Sequence, residues 1–293
     1  MAARATSSMT RSGLQGVMRN FCCPAKLAEV AALIATPGAN QESMITTSDL
    51  ESSVRSYGQN WDFRENIWKS SEALELWLLE EEPAQVAADL LGTDEVWLLR
   101  DQTYFKRPGS ERTPWHQDAM FIPVRGCNFL TLWIPFSAIN HASDSPLEYW
   151  SPNAPACHLL EGGSAETSFM SYRSDWQHQG WTHTSTLGLQ PGDCSFHDGW
   201  TLHGSDGHHA KHDRLAFVAV YGCGEGQLEL APSMPHAPGT LREQVHLLRK
   251  GLHFSCFEGL MEGDPVPSHH NPMIRCSPKQ PLPIHSLKSL LDR

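Results

Sequence analysis

The chain has 293 residues, 40% hydrophobic and 19% charged, with a formal net charge of −11. That size can bury a sizeable core, the charge argues against a nucleic-acid-binding face, and the mixed composition argues against wholesale disorder. No apolar run reaches the roughly 18 residues of a membrane span, and eight cysteines without C-x-x-C spacing read as reduced thiols in a cytoplasmic protein.

Residues 1–12 read as a flexible N-terminus. The first 28 residues hold Arg4, Arg11, Arg19 and Lys26 and no acid, a faint likeness to an organellar transit peptide. A short frayed end is preferred, because domain-like sequence starts near Gly13. Pro24 followed by Lys26–Ile34 predicts a helix, with proline before or in the first turn and strong helix formers behind it. Residues 38–62 are polar and read as loop. Ser71–Leu79 predicts a second helix with Leu74, Trp77 and Leu78 as its core stripe. Pro83 opens a third, which runs to Leu91 and stops at Gly92. Residues 24–92 are thus read as helical support.

A β core is expected over about 93–222. Glu95–Arg100, Thr103–Lys106, Phe129–Phe136, Cys194–His197 and Leu215–Tyr221 read as short strands. Residues 139–156 read as turns. Residues 223–293 are rich in proline and histidine, with one helix around Thr240–Leu252, and read as a lid or wrapped C-terminus. The whole of 13–293 is expected to be one domain, mainly β with flanking helices: a sandwich, barrel or jelly roll.

The chemistry concentrates in His116-Gln117-Asp118, followed by His203 and Arg214. Strand alternation would put His116 and Asp118 on one face, and His203 is expected to start a strand returning beside them. Two neutral imidazoles and a carboxylate fill one face of an octahedron and leave the other open, as mononuclear non-haem Fe(II) requires. Arg214 heads the last core strand. Its permanently charged guanidinium can grip a carboxylate with two parallel bonds, as the distal end of 2-oxoglutarate requires. His197 is the chief decoy, an inward-facing neighbour of the ligands. His208, His209 and His212 read as a solvated turn, and His269-His270 as part of the tail.

Several stretches together resemble the phytanoyl-CoA dioxygenase-like family of Fe(II)/2-oxoglutarate oxygenases. They are Gly13–Arg19, Tyr104–Pro108 through His116-Gln117-Asp118, Leu132–Pro135, Ser145–Glu148, and Pro191-Gly192-Asp193 through His203-Gly204-Ser205 to Arg214. The resemblance implies a cupin-like double-stranded β-helix. It implies His116, Asp118 and His203 as catalytic iron ligands, Arg214 as the 2-oxoglutarate anchor, and Lys106 and Trp133 as further co-substrate contacts. Thr131, on the same strand face as Trp133, is read as a donor to the co-substrate. Fe(II), 2-oxoglutarate and O₂ are the implied cofactors, with succinate and CO₂ as co-products. Many relatives place a hydroxyl residue two positions after the arginine, whereas this chain has Ala216. A carboxylate at Asp118 argues against halide transfer.

The expected partner is a small-molecule substrate, with no nucleic acid and no membrane, and hydroxylation is the expected outcome. Trp61, Trp115, Trp133, Trp150 and Trp200 suggest an apolar pocket for a small or medium-sized, mainly apolar metabolite. The competing readings are a cupin-like isomerase or epimerase that does not use 2-oxoglutarate, with Arg214 on an acidic substrate, and a non-catalytic binding protein.

Overall fold

The computed structural model of the chain describes residues 14–35, 61–80, 82–151, 180–230, 249 and 256–277. Two antiparallel sheets face each other as a jelly roll. The major sheet runs β1 (Gln15–Met18), β9 (Cys194–Asp198), β6 (Asn128–Pro135), β11 (Arg214–Cys223), β3 (Glu95–Lys106) and β14 (Met273–Arg275), with β2 (Trp61–Glu65) also pairing with β3. The minor sheet runs β4 (Thr113–His116), β10 (Leu202–Ser205), β7 (Glu148–Ser151) and β8 (Thr182–Ser185). A third, small sheet joins β13 (Pro265–Val266), β12 (Gly226–Leu228) and β5 (Val124–Arg125).

Three helices, α1 (Pro24–Ala35), α2 (Glu72–Glu80) and α3 (Glu82–Leu91), belong with the outer side of the major sheet. The period of two along β6 sends Leu130, Leu132 and Ile134 outwards, where they share one apolar cluster with Leu74, Trp77, Leu78, Ala84 and Ala87 of the helices. Trp77 packs on Phe217 of β11 with ring centroids 5.5 Å apart. The Tyr221 hydroxyl donates to the Leu78 carbonyl at 2.8 Å, tying sheet to helix. The alternate residues of β6, Thr131 and Trp133, therefore face the minor sheet, and that inner face carries the site.

Several elements differ from expectation. The two strands expected over 95–106 form the single strand β3, because Asp101 is no break. Its buried carboxylate accepts the Ile67 and Trp68 amides at 3.1 and 3.0 Å, and its carbonyl accepts the Asn66 amide at 2.9 Å. Burial pushes that carboxyl up to about 7. Strand β2 begins at Trp61, at the end of the stretch read as loop, and β7 lies inside the stretch read as turns. Asp118 lies beyond β4 and opens a 3-10 turn, Asp118–Met120. The helix expected around 240–252 lies outside the described residues apart from Arg249. That arginine donates to the Met120 carbonyl at 3.0 Å.

Pro191-Gly192-Asp193 has a clear physical basis. Gly192 has φ +91, and a Cβ there would stand 2.5 Å from the Cys22 carbonyl oxygen, so only glycine fits. Asp193 accepts the Gln190 and Asn20 amides at 2.8 and 3.1 Å and pairs with Arg19. The turn thus anchors β9 to the chain's first strand. Among the described residues, no helix is long and apolar enough to cross a membrane.

Candidate metal centre and anion pocket

Strand pairing brings the two halves of the motif together. β10 pairs with β4 so that His203 lies opposite His116. Gly204 allows the close approach, because a Cβ there would meet the Thr113 carbonyl oxygen at 3.0 Å and Trp115 at 3.2 Å. Past His116 the chain is tied to the other half twice. Gln117 Nε2 donates to the Trp200 carbonyl at 2.7 Å, and the Ala119 amide to the Gly199 carbonyl at 2.8 Å. These bonds place Asp118 without the strand alternation expected of it.

The donor atoms of His116, Asp118 and His203 lie within 4.8 Å of one another, the one such convergent group among the described residues. Asp118 Oδ1 is 3.7 Å from His116 Nε2 and 3.6 Å from His203 Nε2. The His203 Nδ1–H donates to the Thr201 carbonyl at 2.9 Å, leaving the Nε2 lone pair for a metal. Burial, with His197 beside it, pushes the His203 imidazole down to about 4, so it is neutral at pH 7. Burial opposes ionisation of Asp118, but His203, His197 and His116 hold its carboxyl well below the usual carboxylate range. Two imidazoles and an ionised carboxylate are the donor set that suits a non-haem iron.

Thr131 donates its hydroxyl to Asp118 Oδ2 at 2.7 Å. Its single proton is therefore committed to the carboxylate and not to a co-substrate as expected. The bond presents Oδ1 to the histidines. His197 is almost fully buried, with Nε2 3.4 Å from Asp118 Oδ2 and its ring centroid 4.2 Å from that of His203. It is a neighbour of the cluster, outside the convergent set. Its own tie is to Tyr149, whose ring lies 5.3 Å away and whose hydroxyl is 3.0 Å from Ser195 Oγ.

Arg214 and Lys106 are cross-strand partners on β11 and β3. Arg214 is 3% exposed, donates from Nη1 to the Ser145 carbonyl at 2.6 Å, and has its guanidinium carbon 5.5 Å from the centroid of Trp133. Its Nε is buried without an acceptor, and no ion pair to it occurs among the described residues. Burial lowers it to about 10. Lys106 Nζ donates to Ser145 Oγ, Ser205 Oγ and the Asp206 carbonyl at 2.9, 2.8 and 2.9 Å. Burial first, and Arg214 second, lower it to about 6. Ser205 stands two residues after His203, so the two basic side chains adjoin the three-donor cluster. Ala216 is fully buried, and Ser145 and Ser205 are the hydroxyls at this end instead. Ser145 holds its place in a left-handed turn at φ 57, ψ 60.

Other expectations are revised. Trp115 and Trp150 pack with Met120 and Leu202 in a separate apolar cluster, since the alternation that turns His116 and Tyr149 inwards turns these neighbours outwards. The side chain of Trp61 lies outside the described residues. His208 is buried, with Nε2 2.5 Å from the His212 carbonyl, so it braces its turn and is not solvated as expected.

The family model described as Phytanoyl-CoA dioxygenase (PhyH) matches residues 15–216. No curated protein matches the chain. Among solved structures, the chain resembles the epimerase SnoN in complex with Fe3+, alpha ketoglutarate and nogalamycin RO, with TM-score 0.64 at 19% identity, covering 89% of this chain and 94% of that one. It also resembles the non-heme alpha ketoglutarate dependent carbocyclase SnoK from nogalamycin biosynthesis, with TM-score 0.60, 16% identity and coverages of 89% and 92%. EctD from S. alaskensis with 2-oxoglutarate and 5-hydroxyectoine gives TM-score 0.55, 18% identity and coverages of 78% and 82%. At these identities the likeness is one of fold.

Proposed function

Since this chain belongs to the phytanoyl-CoA dioxygenase family, we propose that it is a non-haem Fe(II)- and 2-oxoglutarate-dependent dioxygenase that hydroxylates a small or medium-sized metabolite, with release of succinate and CO₂. The observation that carries the reading is Arg214. A buried guanidinium without an ion pair among the described residues, beside a second buried basic side chain, is costly unless an anion arrives to neutralise it. The pocket sets that guanidinium beside a three-donor metal face.

His116 Nε2, Asp118 Oδ1 and His203 Nε2 would hold Fe(II), and Arg214 with Lys106 would take the distal carboxylate of 2-oxoglutarate. Bound there, the metal and 2-oxoglutarate would activate O₂ for oxidation of a C–H bond. The chain's own work is positional. Thr131 fixes the Asp118 carboxylate, Thr201 fixes the His203 ring, and Trp133 backs the Arg214 guanidinium. The apolar inner residues Ala216, Val218 and Val220 keep water from the sheet between the two ends.

Incubation with Fe(II), 2-oxoglutarate, O₂ and a metabolite extract tests the reading. Succinate should form, with a product heavier by one oxygen atom, and both should vanish in Asp118→Ala. Full succinate production by Asp118→Ala would falsify it. A product without added oxygen would refute hydroxylation specifically.

A further inference from the structure

The inner face of the major sheet is ordered in rows. One row runs Gln15, His197, Thr131, Val220, Arg100 across β1, β9, β6, β11 and β3. The next runs Val17, Ser195, Trp133, Val218, Gln102, Glu65, ending on β2. Thr131 holds the metal-binding carboxylate, so Arg100 stands at the level of the metal, two strands away, or about 10 Å between Cα atoms. Tyr104 and Lys106 continue the same face of β3 towards the anion pocket.

Four polar side chains on this face form one chain of bonds. Tyr104 donates its hydroxyl to Gln102 Oε1 at 2.7 Å. Gln102 Nε2 donates to Glu65 Oε1 at 2.9 Å, and Arg100 Nη1 donates to the same oxygen at 2.7 Å. Glu65 and Gln102 are buried. The Arg100 Nε is buried and meets no acceptor among the described residues. Helix packing does not require this network, because it lies on the side of the sheet away from the helices. The centre's 2-oxoglutarate end does not use it either, because Arg214 and Lys106 serve that end.

We propose that Glu65, Arg100, Gln102 and Tyr104 form the substrate-recognition wall of the metal centre, and that this wall selects a neutral small molecule rich in hydroxyl and carbonyl oxygens. The proposal rests on the oxygenase reading and replaces the apolar substrate expected from the tryptophans, two of which face away. The bonds all run towards Glu65. The Arg100 side chain, 14% exposed, carries more N–H groups than Glu65 takes up, and these donate to substrate oxygens. The Tyr104 phenol gives its one proton to Gln102, so towards any further partner it is an acceptor. A hydrocarbon chain over this wall would strip water from the exposed Arg100 N–H groups without replacing it, which costs about ten- to a hundredfold in affinity. An anionic substrate gains nothing, because Glu65 already balances Arg100.

The test uses the full chain loaded with Mn(II) and 2-oxoglutarate, which binds without turning over. Its thermal midpoint is followed with two millimolar pools, one of polyols, glycosides and hydroxyketones, the other of alkanoic acids and alkyl amines. Binding to the folded state raises the midpoint. The oxygenated pool should give the shift and the alkyl pool none. Glu65→Gln combined with Arg100→Met, which keeps the wall neutral and avoids stranding a buried carboxylate, should lose the shift. So should Gln102→Leu. In both variants, the shift given by 2-oxoglutarate itself should stay at the wild-type value. A shift from the alkyl pool, no shift from either pool, or an unaltered shift in both variants would overturn the proposal. Absence of the 2-oxoglutarate shift in the wild type would instead count against the oxygenase reading, so the two failures are distinct.

Discussion

Replacing Thr131 by valine removes one hydroxyl and almost no volume. The lost bond is short, 2.7 Å to Asp118 Oδ2, it is buried on the Thr131 side, and its acceptor is ionised. Such a bond contributes about 1.5–3 kcal/mol. It is present before metal arrives, so part of the loss appears as lowered stability. The rest appears in metal affinity. Without Thr131 the carboxylate is free to turn, and His197 Nε2, 3.4 Å from the same oxygen, is the donor left to compete for it. Groups that orient metal ligands contribute about ten- to a hundredfold in affinity, and the shared cost puts Thr131→Val near the lower figure, about tenfold. The assay is anaerobic titration of metal-free protein with Fe(II) or Mn(II). Thr131→Ser, which keeps the donor, should stay close to wild type. A folded Thr131→Val protein with affinity within about twofold of wild type would refute the reasoning.

Three further outcomes follow from the geometry. Burial and Arg214 lower Lys106 to about 6, while an unfolded lysine holds its proton to about 10.4. Between those values the unfolded chain binds more protons, so the protein without co-substrate should gain stability as pH rises, and Lys106→Met should flatten that slope in pH-resolved denaturation. A dianion docking beside Lys106 should restore its charge. Binding of 2-oxoglutarate at pH 8 should therefore take up a proton, seen as a dependence of the binding heat on buffer ionisation enthalpy that Lys106→Met loses. At Gly222 a Cβ would stand 2.4 Å from the buried Trp97 ring, so Gly222→Ala should cost about 1–3 kcal/mol and lower the thermal midpoint by several degrees.

Much of the site was legible because its spacing is carried by strands. His203 had to return beside His116, and Arg214 had to head an inner strand, for the motif to close at all. Asp118 was found through its neighbours in sequence, although the physical reason differed: a 3-10 turn held by Gly199 and Trp200, and not strand alternation, aims it. What stayed hidden depends on contacts distant in sequence. Nothing local reveals that the Thr131 proton goes to Asp118, that Ser145 sits 69 residues from the guanidinium it receives, or that His208 is buried. The tryptophans misled because side-chain identity does not say which face of a strand is inward. Trp115 and Trp150 fall one position out of phase with His116 and Tyr149 beside them. The polar row on β3 went unread for a related reason. A buried Arg100 makes sense only once β2 delivers Glu65 to it, and β2 itself is a five-residue strand at the end of a polar stretch.

The central claim is that one pocket joins a three-donor iron site to a carboxylate anchor. Anaerobic titration of the Fe(II)-loaded protein with 2-oxoglutarate, followed through the visible charge-transfer band of the chelate, tests it directly. The account predicts a saturable, stoichiometric band in the wild type, its loss in Asp118→Ala, and at least about tenfold weaker binding in Arg214→Leu, the cost of a bidentate charged contact. A wild-type protein that binds Fe(II) yet develops no band, or an Arg214→Leu protein that binds 2-oxoglutarate as tightly as wild type, would contradict it.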